Sequence, residues 1–280
     1  MGKIVWLASY PKSGNTWMRA FLHNLFRNPE EPLPLNQLGG GNLTTSDSGL
    51  HWYRALDPRE PGTWSADEIA AMRLKVHENI AATVPGSIFC KTHCALFELN
   101  GRMTVNVASS AGAIYIVRNP LDVALSFADY LGVEVDIAIK VLGERFFELP
   151  RNGDAVTSPL GSWSQNVESW TGNPNPALHV VRYEDMLDQP VTAFGGLTKF
   201  LGVPAPPDRL EKAIQHASFD ELRTQEDRAE FTERSPSQER FFRSGKSGEW
   251  RDKLSDDEVA RIVGDHREQM SRFGYIPDGF

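Results

Sequence analysis

Lys12, Lys91 and Arg118 each follow a short apolar run in this 280-residue chain, and each brings a positive charge to the carboxyl end of what reads as a buried strand. Lys12 lies in the segment YPKSGNTW, residues 10 to 17, between the run KIVWLAS and a stretch in which Trp17, Phe21 and Leu25 recur at helical spacing. A loop passing from strand to helix presents unpaired backbone N–H groups at the positive end of the helix dipole. A lysine there adds a full charge, so the unit suits a phosphate or sulfate, and Gly14 permits its close approach. Arg118 ends the run AIYIV, and Ser126 follows on the helix that Pro120 opens, so a planar cation and a hydroxyl are available for a second phosphate. Two separated anion grips imply a bisphosphorylated ligand. The plainer alternatives are a solvated lysine in an ordinary polar turn and an Arg118–Asp122 salt bridge at a helix start.

The elements that must position these groups alternate along the chain. KIVWLAS, SIFCK and AIYIV are compact enough for buried parallel strands, and ALHVVRY supplies another. Helices are expected from Ser65, a plausible N-cap, through Ile69, Met72, Val76 and Ile80, and around Trp163, Val167 and Trp170. Further helices are expected near 190 to 201, 207 to 217 and 255 to 273. The pattern predicts an α/β fold with a central, mostly parallel sheet flanked by helices, in a single domain over residues 1 to 280. Because ligands of open parallel sheets bind beyond the carboxyl ends of the strands, Lys12, Lys91 and Arg118 should line one crevice. Residues 28 to 64, rich in Pro, Gly, Asn and Ser, read as a long irregular excursion, and residues 132 to 160 and 225 to 242 are also irregular.

Composition narrows the partners. With 29 basic and 37 acidic residues the net charge is −8, which argues against a nucleic-acid or anionic-membrane surface, so any anion site is local. Two cysteines, Cys90 and Cys94, make a poor disulfide framework and fit a reducing compartment. The opening apolar stretch is too short for a signal peptide, no segment is long enough to span a bilayer, and Trp6 breaks a myristoylation pattern, so a cytoplasmic protein is expected. Nor is the loop a Walker A motif, because Lys12 precedes Gly14 instead of following the second glycine, and the later GKS at Gly245 to Ser247 has Arg240 where the first glycine is needed.

Taken together these motifs resemble the cytosolic-type sulfotransferases, which use 3′-phosphoadenosine 5′-phosphosulfate (PAPS). YPKSGNTW is similar to the family's Y-P-K-S-G-T-T-W, and Arg118 to Ser126 to its R-N-P-x-D-V-x-x-S. CKTHC contains its K-T-H, RYEDM its Y-E-D-M, ASFDEL its T-S-F segment, and FFRSGKSGEW its R-K-G-x-x-G-D-W segment. The resemblance runs from residue 6 to about residue 251 and implies a P-loop NTPase-like three-layer sandwich. It implies that Lys12, Ser13, Gly14, Asn15, Thr16 and Trp17 bind the phosphosulfate and adenine end, and that Arg118 and Ser126 bind the 3′-phosphate. It also brings Tyr183, Ser218 and Phe219 to the adenosine, has Arg243 and Gly245 close the lid, and makes His93 the general base. The departures are Ala217 for a threonine, at one adenosine contact, and Ser244 for a lysine, at one lid charge. The family's C-terminal dimer pattern is missing, with Arg251, Ser255, Asp256 and Ala260 at its positions, which leaves the oligomeric state open.

Sulfonate transfer needs an activated acceptor oxygen, an in-line approach to sulfur and cations on the departing phosphate. His93 titrates in the right range to take a hydroxyl proton, Lys12 and Lys91 supply charge, and by resemblance Ser126 holds Lys12 back until acceptor arrives. The donor is PAPS, the product adenosine 3′,5′-bisphosphate (PAP), and no metal is expected, since Cys90, His93 and Cys94 give only three ligands at a spacing unlike a zinc knuckle. His23, His51, His77, His179, His216 and His266 lie in no motif and read as structural, as do Trp163, Val167 and Trp170. The rivals are a P-loop-type small-molecule kinase, which wants Mg²⁺ ligands and a Walker lysine, and a non-catalytic nucleotide-binding module. The acceptor is expected to be a small hydroxyl compound, apolar or aromatic, because the irregular segments carry Trp52, Tyr53, Trp64, Phe146, Phe147 and Phe231.

Overall fold

The computed structural model describes residues 2–39, 43–203 and 205–280. Along the chain run β1 (Lys3–Ser9), α1 (Asn15–Arg27), β2 (Thr44–Ser46), α2 (Leu50–Arg54), α3 (Ala66–Ala82), β3 (Ser87–Thr92), the short pair β4 (Glu98–Leu99) and β5 (Arg102–Met103), and β6 (Ser110–Val117). Then come α4 (Pro120–Leu131), α5 (Val135–Gly143), the pair β7 (Glu148–Leu149) and β8 (Ser158–Pro159), α6 (Trp163–Thr171) and β9 (Leu178–Arg182). The chain ends with α7 (Tyr183–Asp188), α8 (Pro190–Phe200), α9 (Pro207–His216), α10 (Phe219–Arg228), α11 (Trp250–Lys253) and α12 (Asp256–Phe273). The fold is α/β on a parallel five-stranded sheet of order β2-β3-β1-β6-β9.

Two compact units interleave in sequence. The first comprises Met1–Tyr10, Gly41–Tyr115 and Gly143–Val180. Its sheet centres on β1, where Ile4, Trp6, Leu7 and Ala8 are all buried, as a strand covered on both faces requires. β1 pairs in parallel with β3, Leu7 opposite Lys91 and Ala8 opposite Thr92, and β3 pairs in parallel with β2, Ser46 opposite Lys91. Helix α3 opens with a full capping box, Ser65 accepting from the Glu68 N–H while the Glu68 carboxylate accepts from the Ser65 N–H. Its buried face holds Ile69, Val76 and Ile80 as the periodicity predicts, but also Arg73 and His77.

The second unit comprises Pro11–Gly40, Ile116–Leu142 and Val181–Phe280. Its core is helical: α1 packs on α9, and Phe21 stacks on Phe194 of α8 with ring centroids 4.0 Å apart. Burying each such ring contributes about 2–3 kcal/mol relative to exposure. Helix α12 opens on a capping box between Ser255 and Glu258 and stops at Gly274 in the left-handed region.

The segments expected to be irregular hold more order than their composition suggests. Residues 28 to 64 contain the edge strand β2 and the short helix α2, and residues 132 to 160 contain α5. A three-residue strand and a one-turn helix are too short for periodicity to register. Among the described residues no helix is long and apolar enough to cross a membrane.

Candidate functional site

The candidate anion loop from Pro11 onward belongs to the second unit. After Pro11 the backbone turns with Lys12 at φ 65 and Gly14 at φ 100, and Gly14 then stands at the N-cap of α1 without any side-chain cap. A Cβ at Gly14 would lie 2.8 Å from the Tyr183 ring, so both the dihedral and the contact demand glycine. The first turn of α1 holds no acidic residue, leaving its N–H groups directed at the loop with the helix dipole behind them. The buried Ser13 hydroxyl and the Trp17 indole N–H have no hydrogen-bond partner among the described residues. Thr16 is held differently, its hydroxyl accepting from Arg19, whose guanidinium grips Glu233 through two hydrogen bonds of 2.7 Å.

Arg118, just past β6, is buried in the same unit and reaches the loop directly. Its Nη1 donates to the Lys12 carbonyl at 2.9 Å, its Nη2 to the Lys246 carbonyl at 3.3 Å, and its guanidinium lies 4.2 Å over the Tyr183 ring. Its Nε has no partner among the described residues. A buried guanidinium whose Nε–H is still to be satisfied is suited to an anion. Asp122 does not serve as its partner at the helix start, because the two carboxylate oxygens accept instead from the backbone N–H groups of Gly248 at 2.7 Å and Trp250 at 3.2 Å. Behind Arg118, the Asn119 N–H donates to Glu184 at 3.0 Å, and Glu184 also accepts from the Tyr275 hydroxyl at 2.6 Å. Burial and the neighbouring Glu184 push the Tyr275 phenol up, so it stays a neutral donor.

The remaining residues expected on the donor side are in this unit too. The Lys12 ammonium sits 4.3 Å over the Phe241 ring centroid and 5.3 Å over that of Tyr130. Tyr183 meets Trp17 edge to face at 5.6 Å. Ser126 is half-buried on α4. Ser218 caps α10, its hydroxyl accepting from the Glu221 N–H, and Phe219 packs so closely on Gly245, at φ 65, that a Cβ there would meet the ring at 2.3 Å. Arg243 forms a salt bridge to Glu249 at 2.6 Å within the 243 to 250 segment.

Lys91 and His93 belong to the first unit. Lys91 is half-buried on β3, and His93 follows the last residue of that strand. The His93 Nδ1 lies 2.8 Å from the Ser9 backbone carbonyl, which can only accept, so the proton sits on Nδ1 and the Nε2 lone pair is the basic site. Asn166, fully buried on α6, donates from Nδ2 to the His93 carbonyl and to the Leu160 carbonyl, both at 3.0 Å, and accepts from the Tyr115 hydroxyl at 2.8 Å. Burial and the neighbouring Asp47 push the Cys94 thiol up to about 12, and the same causes push the Cys90 thiol up. The structure thus gathers Lys12 to Trp17, Arg118, Ser126, Tyr183, Ser218, Phe219, Arg243 and Gly245 into one unit and Lys91 and His93 into the other. Sequence reasoning missed Asn166 and Glu184, which hold the backbone at His93 and Asn119, and offered Asp122 as a partner of Arg118 where it holds Gly248 and Trp250. A polar residue beside the apolar stripe of α6 is the one signal that would have flagged Asn166.

A family model described as the sulfotransferase domain matches residues 3–274. The chain is 25% identical to sulfotransferase 1A1 of Canis lupus familiaris over 277 residues, covering 96% of this chain and 83% of that protein. It is 24% identical to flavonol 3-sulfotransferase of Flaveria bidentis over 275 residues, covering 92% of this chain and 78% of the relative. Among solved structures, mouse sulfotransferase SULT7A1 complexed with PAP matches at a TM-score of 0.62 and 19% identity, covering 98% of this chain and 90% of that one. Retinol dehydratase in complex with retinol and PAP matches at a TM-score of 0.64 and 18% identity, covering 95% and 81%. These likenesses extend the fold to the P-loop-like α/β architecture, and with the model match spanning nearly the whole sequence the chain belongs to the sulfotransferase domain family.

Proposed function

We propose that the protein is a PAPS-dependent sulfotransferase acting on the hydroxyl group of a small apolar or aromatic compound. The observation that carries this reading is the direct hydrogen bond from Arg118 to the Lys12 carbonyl, which joins the two candidate anion-binding motifs in one unit, with Ser13 Oγ and Arg118 Nε buried there and without partners among the described residues. Those groups fit a ligand that brings a phosphate to each motif. PAPS supplies the sulfonate and, as the bond from sulfur to the phosphate oxygen breaks, a bisphosphate leaving group. Lys12 and the α1 N–H groups neutralise the charge growing on the 5′-phosphate, Lys91 adds a second cation, and Arg118 with Ser126 holds the 3′-phosphate. His93 takes the acceptor's hydroxyl proton at Nε2 as the new oxygen–sulfur bond forms, and Ser9 stabilises the resulting imidazolium through Nδ1.

An apolar or aromatic acceptor is supported within the first unit. Phe146 is 51% exposed, stands at φ 61, where a bulky side chain is strained, and meets Phe97 edge to face at 5.7 Å. Its N–H donates to Gln165 at 3.0 Å, so consecutive side chains of α6, Gln165 and Asn166, hold Phe146 and His93. Among the fold relatives, retinol dehydratase binds retinol, and in another crystal androsterone. The test is incubation of purified protein with PAPS and a panel of phenols, steroid alcohols and long-chain alcohols. Sulfonated product from at least one class is expected, whereas PAP binding without transfer to any hydroxyl would leave a nucleotide-binding module.

A further inference from the structure

We infer that Asp47, acting through Thr92, is a positioning residue for His93. The inference rests on the reading of His93 as the base. Asp47 falls immediately after the edge strand β2 and is buried, with only 2% of its surface exposed. Its backbone N–H donates to the Lys91 carbonyl at 3.1 Å, and its Oδ2 accepts from the Thr92 hydroxyl at 2.7 Å. The Thr92 oxygen in turn accepts from the Cys94 N–H at 3.1 Å. Asp47 therefore fixes Lys91 and Thr92 before His93 directly, and Cys94 after it through one hydroxyl. The backbone that carries the imidazole is bracketed on both sides, while Ser9 sets the ring and Asn166 the carbonyl.

Keeping a carboxylate in this position is expensive, and an apolar side chain would pack the interior at lower cost. The surroundings are built to keep it ionised. His77, also fully buried, accepts at Nδ1 from the Asn106 N–H, so its Nε2 carries the proton and faces Asp47 Oδ2 at 3.6 Å. Arg73 is buried on the same face of α3 and donates to the Thr157 carbonyl at 2.6 Å. Burial raises the Asp47 carboxyl, but His77, Thr92 and the Arg73 charge together bring it below its ordinary value. Thr92 of β3 and His77 of α3 thus hold one carboxylate, with the Arg73 charge nearby, and its bonds end on the segment around His93. A general base displaced by a fraction of an ångström loses much of its rate, which gives the arrangement its purpose.

Thr92→Val keeps the volume and β-branching of the side chain while deleting the hydroxyl, and Thr92→Ser restores the hydroxyl. With PAPS and 2-naphthol, Thr92→Val is expected to lower kcat by about tenfold to a hundredfold. The KM for PAPS and the PAP Kd should be unchanged, and Thr92→Ser should recover most of the rate. In a His93→Ala background the same change should produce no further loss. A second readout needs no acceptor: in ¹⁵N-histidine-labelled protein the His93 Nδ1 proton, identified by its loss in His93→Ala, should exchange with solvent about tenfold faster in Thr92→Val than in wild type or Thr92→Ser. Wild-type kcat and exchange in a folded Thr92→Val protein, beside an inactive His93→Ala protein, overturns the positioning role alone. So does an independent, multiplicative loss in the double variant. A His93→Ala protein with full turnover removes the base assignment, and the positioning role with it.

Discussion

Arg118 donates from Nη1 to the backbone carbonyl of Lys12 at 2.9 Å. The two residues are 106 positions apart, and the bond fixes the spacing between the motifs that carry them. The arginine is clamped three ways, by that carbonyl, by the Lys246 carbonyl and by the Tyr183 face, so its fork is oriented before any anion arrives. Pre-orientation of this kind would let one cation serve as both a brace for the loop and, in the proposed function, a ligand for phosphate.

The first prediction follows from that brace. PAP should raise the melting temperature well above what AMP or ATP achieves at equal concentration, because only PAP carries phosphates for both motifs. Arg118→Ala should abolish the preference while leaving a weak response to all three. Equal shifts with AMP and PAP in the wild type would show that a single anion grip operates.

In the proposed reaction Lys12 serves chemistry more than docking, since its carbonyl holds Arg118 whatever the side chain is, and backbone N–H groups would share the anion. Lys12→Ala should therefore lower kcat by about a hundredfold or more while weakening the PAP Kd by less than tenfold. Pre-steady-state transfer and equilibrium PAP binding measure the two quantities. Proportional losses in both would reduce Lys12 to a docking charge.

Gly245→Ala tests the lid segment. A methyl group there would meet the Phe219 ring at 2.3 Å on a backbone at φ 65, so the segment must shift or strain by about 1–3 kcal/mol. The change should weaken PAP binding by roughly fivefold to a hundredfold. Calorimetric titration with PAP reads the loss, and unchanged affinity would detach this segment from the nucleotide.

Much of this was legible in the sequence because each motif couples charge to a change of element. YPKSGNTW marks the end of β1 and the start of α1 within a residue or two, and Arg118 and Pro120 mark the end of β6 and the start of α4. What the sequence hid are polar residues whose partners are remote. Asp47 sits in a Gly- and Ser-rich stretch that reads as loop, just past the three-residue β2, which pairs with β3. Arg73 and His77 lie on an α3 face whose apolar spacing disguises them, and Asn166 sits between core residues of α6. Hydrogen bonds between residues 45 or 73 positions apart leave no periodic trace.

Acid should destabilise the protein through His266. Burial holds its imidazole at about 4, below the ordinary histidine value, so between pH 6.5 and 4 the unfolded chain binds a proton that the folded one excludes. Stability therefore falls as pH falls through that window, by up to about 3 kcal/mol from this residue. His266→Gln should flatten that part of a urea-denaturation series against pH while leaving turnover at pH 7.5 unchanged. An equal slope in the variant would move the effect to other groups.

The acid limb of turnover should have a different origin and must be separated from that loss of stability. His93 is held with its proton on Nδ1 against Ser9, so the Nε2 lone pair is what an acceptor hydroxyl requires, and protonation removes it. His93→Ala and His93→Asn should retain the fold and PAP binding and lose on the order of a hundredfold or more in sulfonation of an un-ionised alcohol. In wild type, kcat should fall on the acid side with a single protonation, at pH values where melting curves still show folded protein. That limb should vanish in the variants, and also with an acceptor already ionised, since an anionic oxygen has no proton to give up. The two controls discriminate: unfolding would depress every acceptor alike, whereas loss of a base spares the ionised one. If His93→Asn sulfonates the un-ionised alcohol at near wild-type rate, the proton leaves by another route and His93 only braces the end of β3.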